Sequence, residues 1–316
     1  MTKSFGDRPR VLYVAGIPRT GSTVLGLLLG GMPNVLFVGE LNFFWRRFAH
    51  GHLCSCRRPL PDCPFWTAVV HQAYGDLTHH RAKELAELER QVLRKQFLLG
   101  LAPASWPVRT DRRVGMMLTE LVRLYQSIGQ LTGASWIVDT GKEPVFGTFL
   151  ARADGVDLST IHLVRDPRGV AFSWTKQIPS DSEPRDMPRK PAAATALDWM
   201  LQNMFVHLTL PRLSRAYVRV RYEDLTASRA DVLRQIAQAI GLPMVSPTAA
   251  GDQRAVGMPG QHLVAGNPAV RQVHAGNLPL RLDEEWRTRL PRSQQRIVTA
   301  MCASLMSRYG YPLRSA

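Results

Sequence analysis

Val11-Leu12-Tyr13-Val14-Ala15-Gly16-Ile17-Pro18-Arg19-Thr20-Gly21-Ser22-Thr23 is the stretch on which the fold turns. Val11 to Ala15 is an unbroken apolar run of β-formers ended by Gly16, the signature of a strand buried on both faces of a parallel sheet. Gly16, four residues, Gly21 and then two hydroxyl side chains have the spacing of a phosphate-binding loop. Thr23 to Gly30 reads as the helix that follows it. Such a loop works because its glycines let backbone N–H groups converge on an anion at the positive end of a helix. The usual ending, Gly-Lys-Ser/Thr, is here Gly21-Ser22-Thr23, and the lysine that would bridge the β- and γ-phosphates of ATP is absent. Arg19 supplies a cation from inside the loop instead.

Outward from this loop the same alternation continues. Leu36 to Val38, Trp136 to Val138, Ser159 to Val164 and Tyr217 to Val220 read as further short strands. Helical patterns separate them, notably Gly115 to Leu131, Thr195 to Leu208 and Arg229 to Ile240. The class is therefore α/β: a central parallel sheet of the P-loop type flanked by helices on both faces. Residues 1–316 read as one domain, with residues 46–113 as an irregular and helical insertion beside the sheet that includes a charged helix from Arg81 to about Leu99. Ile178 to Pro191, with four prolines, reads as a loop and a candidate lid.

Composition narrows the partners. The 316 residues carry 40 Lys and Arg against 25 Asp and Glu, a net charge of +15, and most of the cations are arginine. That surplus favours anionic ligands, and arginine grips phosphate or sulfate through paired hydrogen bonds. An apolar fraction of 45% with 21% charged residues is that of a globular chain. The segment Met1 to Arg10 is polar, and the apolar stretch Val24 to Val38 is broken by Gly30, Gly31, Met32 and Pro33, so no membrane span is expected and the expected location is cytoplasmic. Four cysteines do not make a secreted disulfide scaffold.

Pro18-Arg19-Thr20-Gly21-Ser22-Thr23 resembles the 5′-phosphosulfate loop of sulfotransferases that use 3′-phosphoadenosine 5′-phosphosulfate (PAPS). Arg165, at the end of Ile161-His162-Leu163-Val164, and Ser173, eight residues on, resemble that family's 3′-phosphate site. Tyr222-Glu223-Asp224 resembles the segment whose tyrosine contacts adenine. Asp139-Thr140-Gly141-Lys142 and Gly266-Asn267-Pro268 with Arg271 resemble segments of the bacterial branch. The resemblance spans Gly16 to about Arg289 and implies a PAPS-dependent sulfotransferase that needs no metal for the transfer.

Sulfuryl transfer requires a base at the acceptor and cations at the leaving oxygen. Arg19 and Lys142 are the cations this resemblance implies; a solvated Lys142 is the bland alternative. Glu40, just beyond a strand tip, is the candidate base, against a pairing with Arg46 or Arg47; His50 and His52 are further choices. The acceptor side would be built from residues 42–110 and the loop Ile178 to Pro191, with Phe43, Phe44, Trp45, Phe65 and Trp66 either lining a pocket or packing in the core. Arg185, Arg189 and Lys190 either attract an anionic acceptor or form a solvated face. Cys54, Cys56 and Cys63 lack the usual zinc spacing and read as a structural feature shared with bacterial members, with no metal assigned; Cys302 reads as core. A small molecule, sugar or lipid is the expected acceptor.

Two rivals remain at this level. Trp136-Ile137-Val138-Asp139 also resembles the apolar run ending in the magnesium-binding Asp of P-loop kinases, although the missing lysine opposes that reading. A non-catalytic nucleic-acid-binding protein would explain the charge, but no motif for it is present and the arginines are dispersed.

Overall fold

The structure is a computed structural model, and it describes residues 8–94, 111–176, 189–243, 262–265 and 282–314. In chain order the elements are β1 (Arg10–Gly16), α1 (Ser22–Gly30), β2 (Val35–Gly39), α2 (Phe44–Ala49), α3 (Pro64–Tyr74), α4 (His79–Arg94), α5 (Arg112–Thr132), β3 (Trp136–Lys142), α6 (Pro144–Leu150), β4 (Asp157–Val164), α7 (Pro167–Thr175), α8 (Ala192–Leu213), β5 (Ala216–Arg221), α9 (Tyr222–Ala227), α10 (Arg229–Ile240), α11 (Trp286–Arg289) and α12 (Arg292–Arg308). The five strands form one parallel sheet in the order β2-β3-β1-β4-β5, so the phosphate-loop strand is central. This is the α/β class expected from the sequence.

Strand alternation sorts the core. Val11, Tyr13 and Ala15 point to one face and pack with α5, α6 and α8. Leu12 and Val14 point to the other and pack with α1 and α10. The helix ends follow local chemistry: Asp111 caps α5 by accepting from Arg113 N, Asp166 caps α7 by accepting from Arg168 N, and left-handed glycines Gly133 and Gly241 end α5 and α10. Helix α8 runs longer than its apolar pattern, because Pro211 lies in its last turn and leaves the preceding turns unbroken.

The region after residue 46 joins the main core: Phe44, Trp45, Trp66, Leu85 and Val92 share one continuous cluster with Tyr13, Val38 and Tyr125. Apolar side chains on α2, α3 and α4 pack together and extend the core on that face. Phe44, Trp45 and Trp66 are therefore core residues and not pocket walls. The charged helix ends at Arg94 as described; the rest of its expected span, through Leu99, lies outside the described residues. Cys302 is buried on α12, as its apolar setting implied. Among the described residues no helix is long and apolar enough to cross a membrane.

Candidate functional site

In a parallel sheet every strand delivers its C-terminal end to the same edge, the edge at which open α/β sheets bind ligands. In sheet order that edge presents Glu40 after β2, Lys142 at the end of β3, the loop Gly16–Gly21 after β1, Arg165 after β4 and Tyr222 after β5. Residues far apart in sequence thus become neighbours through strand order alone.

The loop is built for close approach. Gly16 has φ 148°, and a Cβ there would lie 2.5 Å from the carbonyl oxygen of Leu163 on the neighbouring strand, so only glycine fits. Gly21, at φ 87°, opens α1, and the Tyr222 ring lies so near that a Cβ on Gly21 would meet it at 2.7 Å. Thr20 Oγ1 donates to the carbonyl of Ile17 and closes the turn. The first N–H groups of α1 have no partner within the helix and face this turn by helix geometry. Arg19 sits in the left-handed region at φ 76° with its guanidinium over the Trp174 ring at 5.0 Å, and burial depresses its pKa below the ordinary arginine value. Lys190 Nζ lies against the same ring at 4.7 Å.

Arg165 joins the loop to the β4 and β5 ends. Its Nη1 donates to the carbonyl of Arg19 at 3.1 Å, its guanidinium lies over the Tyr222 ring at 4.7 Å, and the Trp199 indole donates to its carbonyl. Nη2 donates to the Asp283 carbonyl at 3.2 Å and pairs with the Asp283 carboxylate at 3.3 Å, which Lys176 also holds at 3.1 Å. Burial alone would raise the Asp283 carboxyl, but Lys176 and Arg165 together hold it below the usual range. A carboxylate therefore rests between two cations beside the loop. Ser173 is buried on α7, the helix that follows Arg165. The second arginine of that segment, Arg168, is wholly buried, pairs with Asp166 at 2.6 Å and donates to the Pro312 carbonyl, which makes it a structural residue.

At the other end of the edge, Glu40 and Lys142 pair directly with each other. Glu40 pairs with Lys142, while the Arg46 guanidinium lies on the Phe43 ring, and Lys142 is largely shielded from solvent. The pairing of β1 with β3 slips between Asp139 and Lys142, and Lys142 has φ 64°; a bulge of this kind turns a strand-end side chain toward its neighbour. Asp139 holds the bulge. Its Oδ1 accepts from Gly141 N at 2.7 Å and from Leu41 N at 3.4 Å, just beyond Glu40, and its Oδ2 accepts from the Tyr125 hydroxyl. Burial pushes the Asp139 carboxyl up to about 7. Both oxygens of this carboxylate accept hydrogen bonds inside the protein, which gives Asp139 a bracing role at the strand ends.

His50 Nδ1 lies 2.7 Å from the Arg46 carbonyl, on the surface. His162 is a buried neutral histidine between Tyr217 and Asn203, its pKa pushed down to about 3 by burial. Sequence reasoning missed Trp174, Lys176 and Asp283 as neighbours of the cationic cluster: the first two follow Ser173 closely and share its helix or its end, whereas nothing in the sequence marks Asp283. It also missed that His262 lies against Cys54 and Cys63. Gly266-Asn267-Pro268, Arg271, Arg185 and most of the loop Ile178 to Pro191 lie outside the described residues.

Known proteins similar to this chain point in one direction. No protein-family model matches it. Mouse carbohydrate sulfotransferase 7 is 26% identical over an alignment covering 95% of this chain and 74% of that protein. The sulfotransferase domain of the Synechococcus PCC 7002 olefin synthase superposes with a TM-score of 0.53 at 19% identity, covering 99% of both chains. The sulfotransferase domain of the curacin biosynthetic pathway gives 0.52 at 18% identity, covering 98% of this chain and 100% of that one. The last two establish a shared fold.

Proposed function

We propose that this chain, a member of the sulfotransferase family, moves a sulfuryl group from PAPS to a hydroxyl or amine of a small-molecule, sugar or lipid acceptor by in-line displacement. The observation that carries the reading is the strand-end edge: an acid–lysine pair, an anion-binding loop, a strand-end arginine and a tyrosine stand side by side in sheet order. PAPS, when bound, supplies a sulfuryl group activated by attachment to a phosphate, and a 3′-phosphate that serves as a handle.

In this reading Pro18, Arg19, Thr20, Gly21, Ser22 and Thr23 hold the 5′ end, Arg165 and Ser173 hold the 3′-phosphate, and Tyr222 lies against the adenine, with Arg271 as a further contact. The fit has support in the molecule itself, because Arg165 and Lys176 already hold an anionic carboxylate, that of Asp283. Glu40 accepts the proton of the acceptor hydroxyl as that oxygen bonds to sulfur. The bond from sulfur to the phosphate oxygen breaks, and Arg19, Lys142 and the first N–H groups of α1 take up the charge left on that oxygen. The moving group carries less negative charge than a phosphoryl group, so side-chain cations suffice for the step. Asp139 acts through Glu40 and Lys142 by holding the bends that carry them.

Titration calorimetry with 3′-phosphoadenosine 5′-phosphate, beside ADP and ATP with and without magnesium, tests this. Magnesium-independent binding that prefers the 3′-phosphorylated nucleotide is expected. A preference for Mg-ATP overturns the reading in favour of a kinase, and salt-sensitive nucleic-acid binding without nucleotide affinity overturns it in favour of a binding protein.

A further inference from the structure

Four metal-ligand side chains meet at one point outside the set of residues assigned to the strand-end edge. Cys54, Cys56 and Cys63 lie in the turn between α2 and α3, and His262 arrives from a segment 199 residues beyond Cys63. Their ligand atoms all lie within 4.8 Å of one another. Cys56 Sγ is 3.6 Å from Cys63 Sγ, which is 3.7 Å from Cys54 Sγ; His262 Nδ1 is 3.2 Å from Cys63 Sγ and 3.8 Å from Cys54 Sγ.

These four separations are four of the six edges of a coordination tetrahedron. Zinc–sulfur bonds of about 2.3 Å and zinc–nitrogen bonds of about 2.0–2.1 Å imply sulfur–sulfur edges of about 3.8 Å and sulfur–nitrogen edges of about 3.5 Å. A disulfide would need about 2.05 Å, and all the cysteines are free. We propose that Cys54, Cys56, Cys63 and His262 hold one structural zinc ion. Three thiolates with one imidazole select zinc over magnesium, calcium or manganese, and four protein ligands leave no open position for catalysis.

The surroundings are built to present the ligands. A tight turn with Arg57 at φ 67°, closed by Cys54 N to the Arg58 carbonyl and Arg57 N to the Cys54 carbonyl, folds Cys54 and Cys56 toward Cys63. Cys63 is fixed at the start of α3. Phe65 stacks on His262 at 5.2 Å with the rings 8° from parallel and sets the imidazole plane. Two hydrogen bonds, Ser55 N to the Leu263 carbonyl and Leu263 N to Ser55 Oγ, align the partner segments beside the ligands.

The site also reaches toward the strand-end edge. Val264 N donates to the Val38 carbonyl, and a Cβ on Gly39 would meet Val264 N and the Ala265 carbonyl at 2.9 Å. The ion thus staples residues 262–265 against the end of β2, one residue from Glu40. This last consequence for Glu40 rests on the proposed function, whereas the metal site does not.

The test is elemental analysis of the full chain purified without chelator, followed by removal of metal and titration with Co²⁺. One zinc per chain is expected, with Co²⁺ giving sulfur-to-metal charge-transfer bands and the intense visible bands of a tetrahedral site. Cys56→Ser and His262→Ala should lose or alter these bands, and Cys302→Ala, a thiol on α12 away from the cluster, should keep them. A metal-free native protein whose apo form binds no Co²⁺ overturns the proposal, even if every variant misfolds. So does a Cys54–Cys63 disulfide in the freshly purified chain, or zinc retained unchanged in both ligand variants.

Discussion

The two ends of the strand-end edge are made in different ways. The β1, β4 and β5 end is marked by local signals, namely a glycine-spaced loop, an arginine at a strand terminus and a tyrosine that opens a helix, even though its parts meet over long separations, Arg165 and Arg19 across 146 residues. The β2 and β3 end lacks a local motif of that kind. Glu40 meets Lys142 across 102 residues, Asp139 braces Leu41 across 98, and the Cys/His cluster closes over about 200. Anion binding is generic chemistry that short backbone motifs perform, whereas placing a base against a lysine needs three-dimensional context. The comparison predicts that changes at the first end alter nucleotide affinity and changes at the second alter turnover.

The largest effect should come from the second end. Glu40→Gln removes the proposed proton acceptor and should lower kcat by about 10²- to 10⁴-fold while leaving the affinity for 3′-phosphoadenosine 5′-phosphate nearly unchanged. Equal loss of affinity and turnover would show that the two ends are not separable. At the first end, Arg165→Ala removes a charge-assisted contact and should weaken nucleotide binding by about 10- to 100-fold in calorimetry. Retained affinity would move the 3′-phosphate elsewhere. Asp283→Asn frees the Arg165–Lys176 pair from a competing carboxylate and should tighten nucleotide binding by about three- to tenfold; weaker binding would mean that Asp283 orders the arginine instead.

The smallest effect concerns stability on the second side. Glu89 Oε2 accepts from Trp45 N at 2.9 Å and Arg46 N at 3.4 Å, while its buried Oε1 has no partner among the described residues, and burial pushes the carboxyl up to about 8. The folded chain keeps this proton where the unfolded chain has lost it, so the contribution of Glu89 to stability falls as pH rises from the ordinary carboxylate range toward about 8. Asp139, at about 7, has the same sign. Glu89→Gln keeps the acceptor and removes the titration. Its Tm should match the parent near pH 5 and exceed it by about 2 °C at pH 8, as thermal melts across that range would show. A constant offset at all pH values would assign the effect to packing.

Much of this was legible in the sequence. The five strands, the loop and the helix Arg229–Ile240 follow from apolar runs and periodicity, which depend only on near neighbours along the chain. Arg19, Arg165 and Tyr222 were legible too, because each sits at a fixed offset from an element it terminates or begins. What covers the helices after residue 46 was not legible, because a helical pattern shows which face is apolar but not its partner: Trp45 and Trp66 join one cluster with Tyr13 and Val38 only in the folded chain. Cys-x-Cys was set aside for want of the usual spacing, since its fourth partner lies on another segment altogether.

By itself, then, the sequence determined the α/β class, the central strand and the positions of the glycine loop, Arg165 and Tyr222 along the edge, because backbone conformation and burial pattern are written over a few residues. Only the tertiary structure decided that Glu40 pairs with Lys142, that Asp139 braces them from within, and that His262 joins three cysteines, because those contacts depend on strand order and chain crossings that no local pattern encodes.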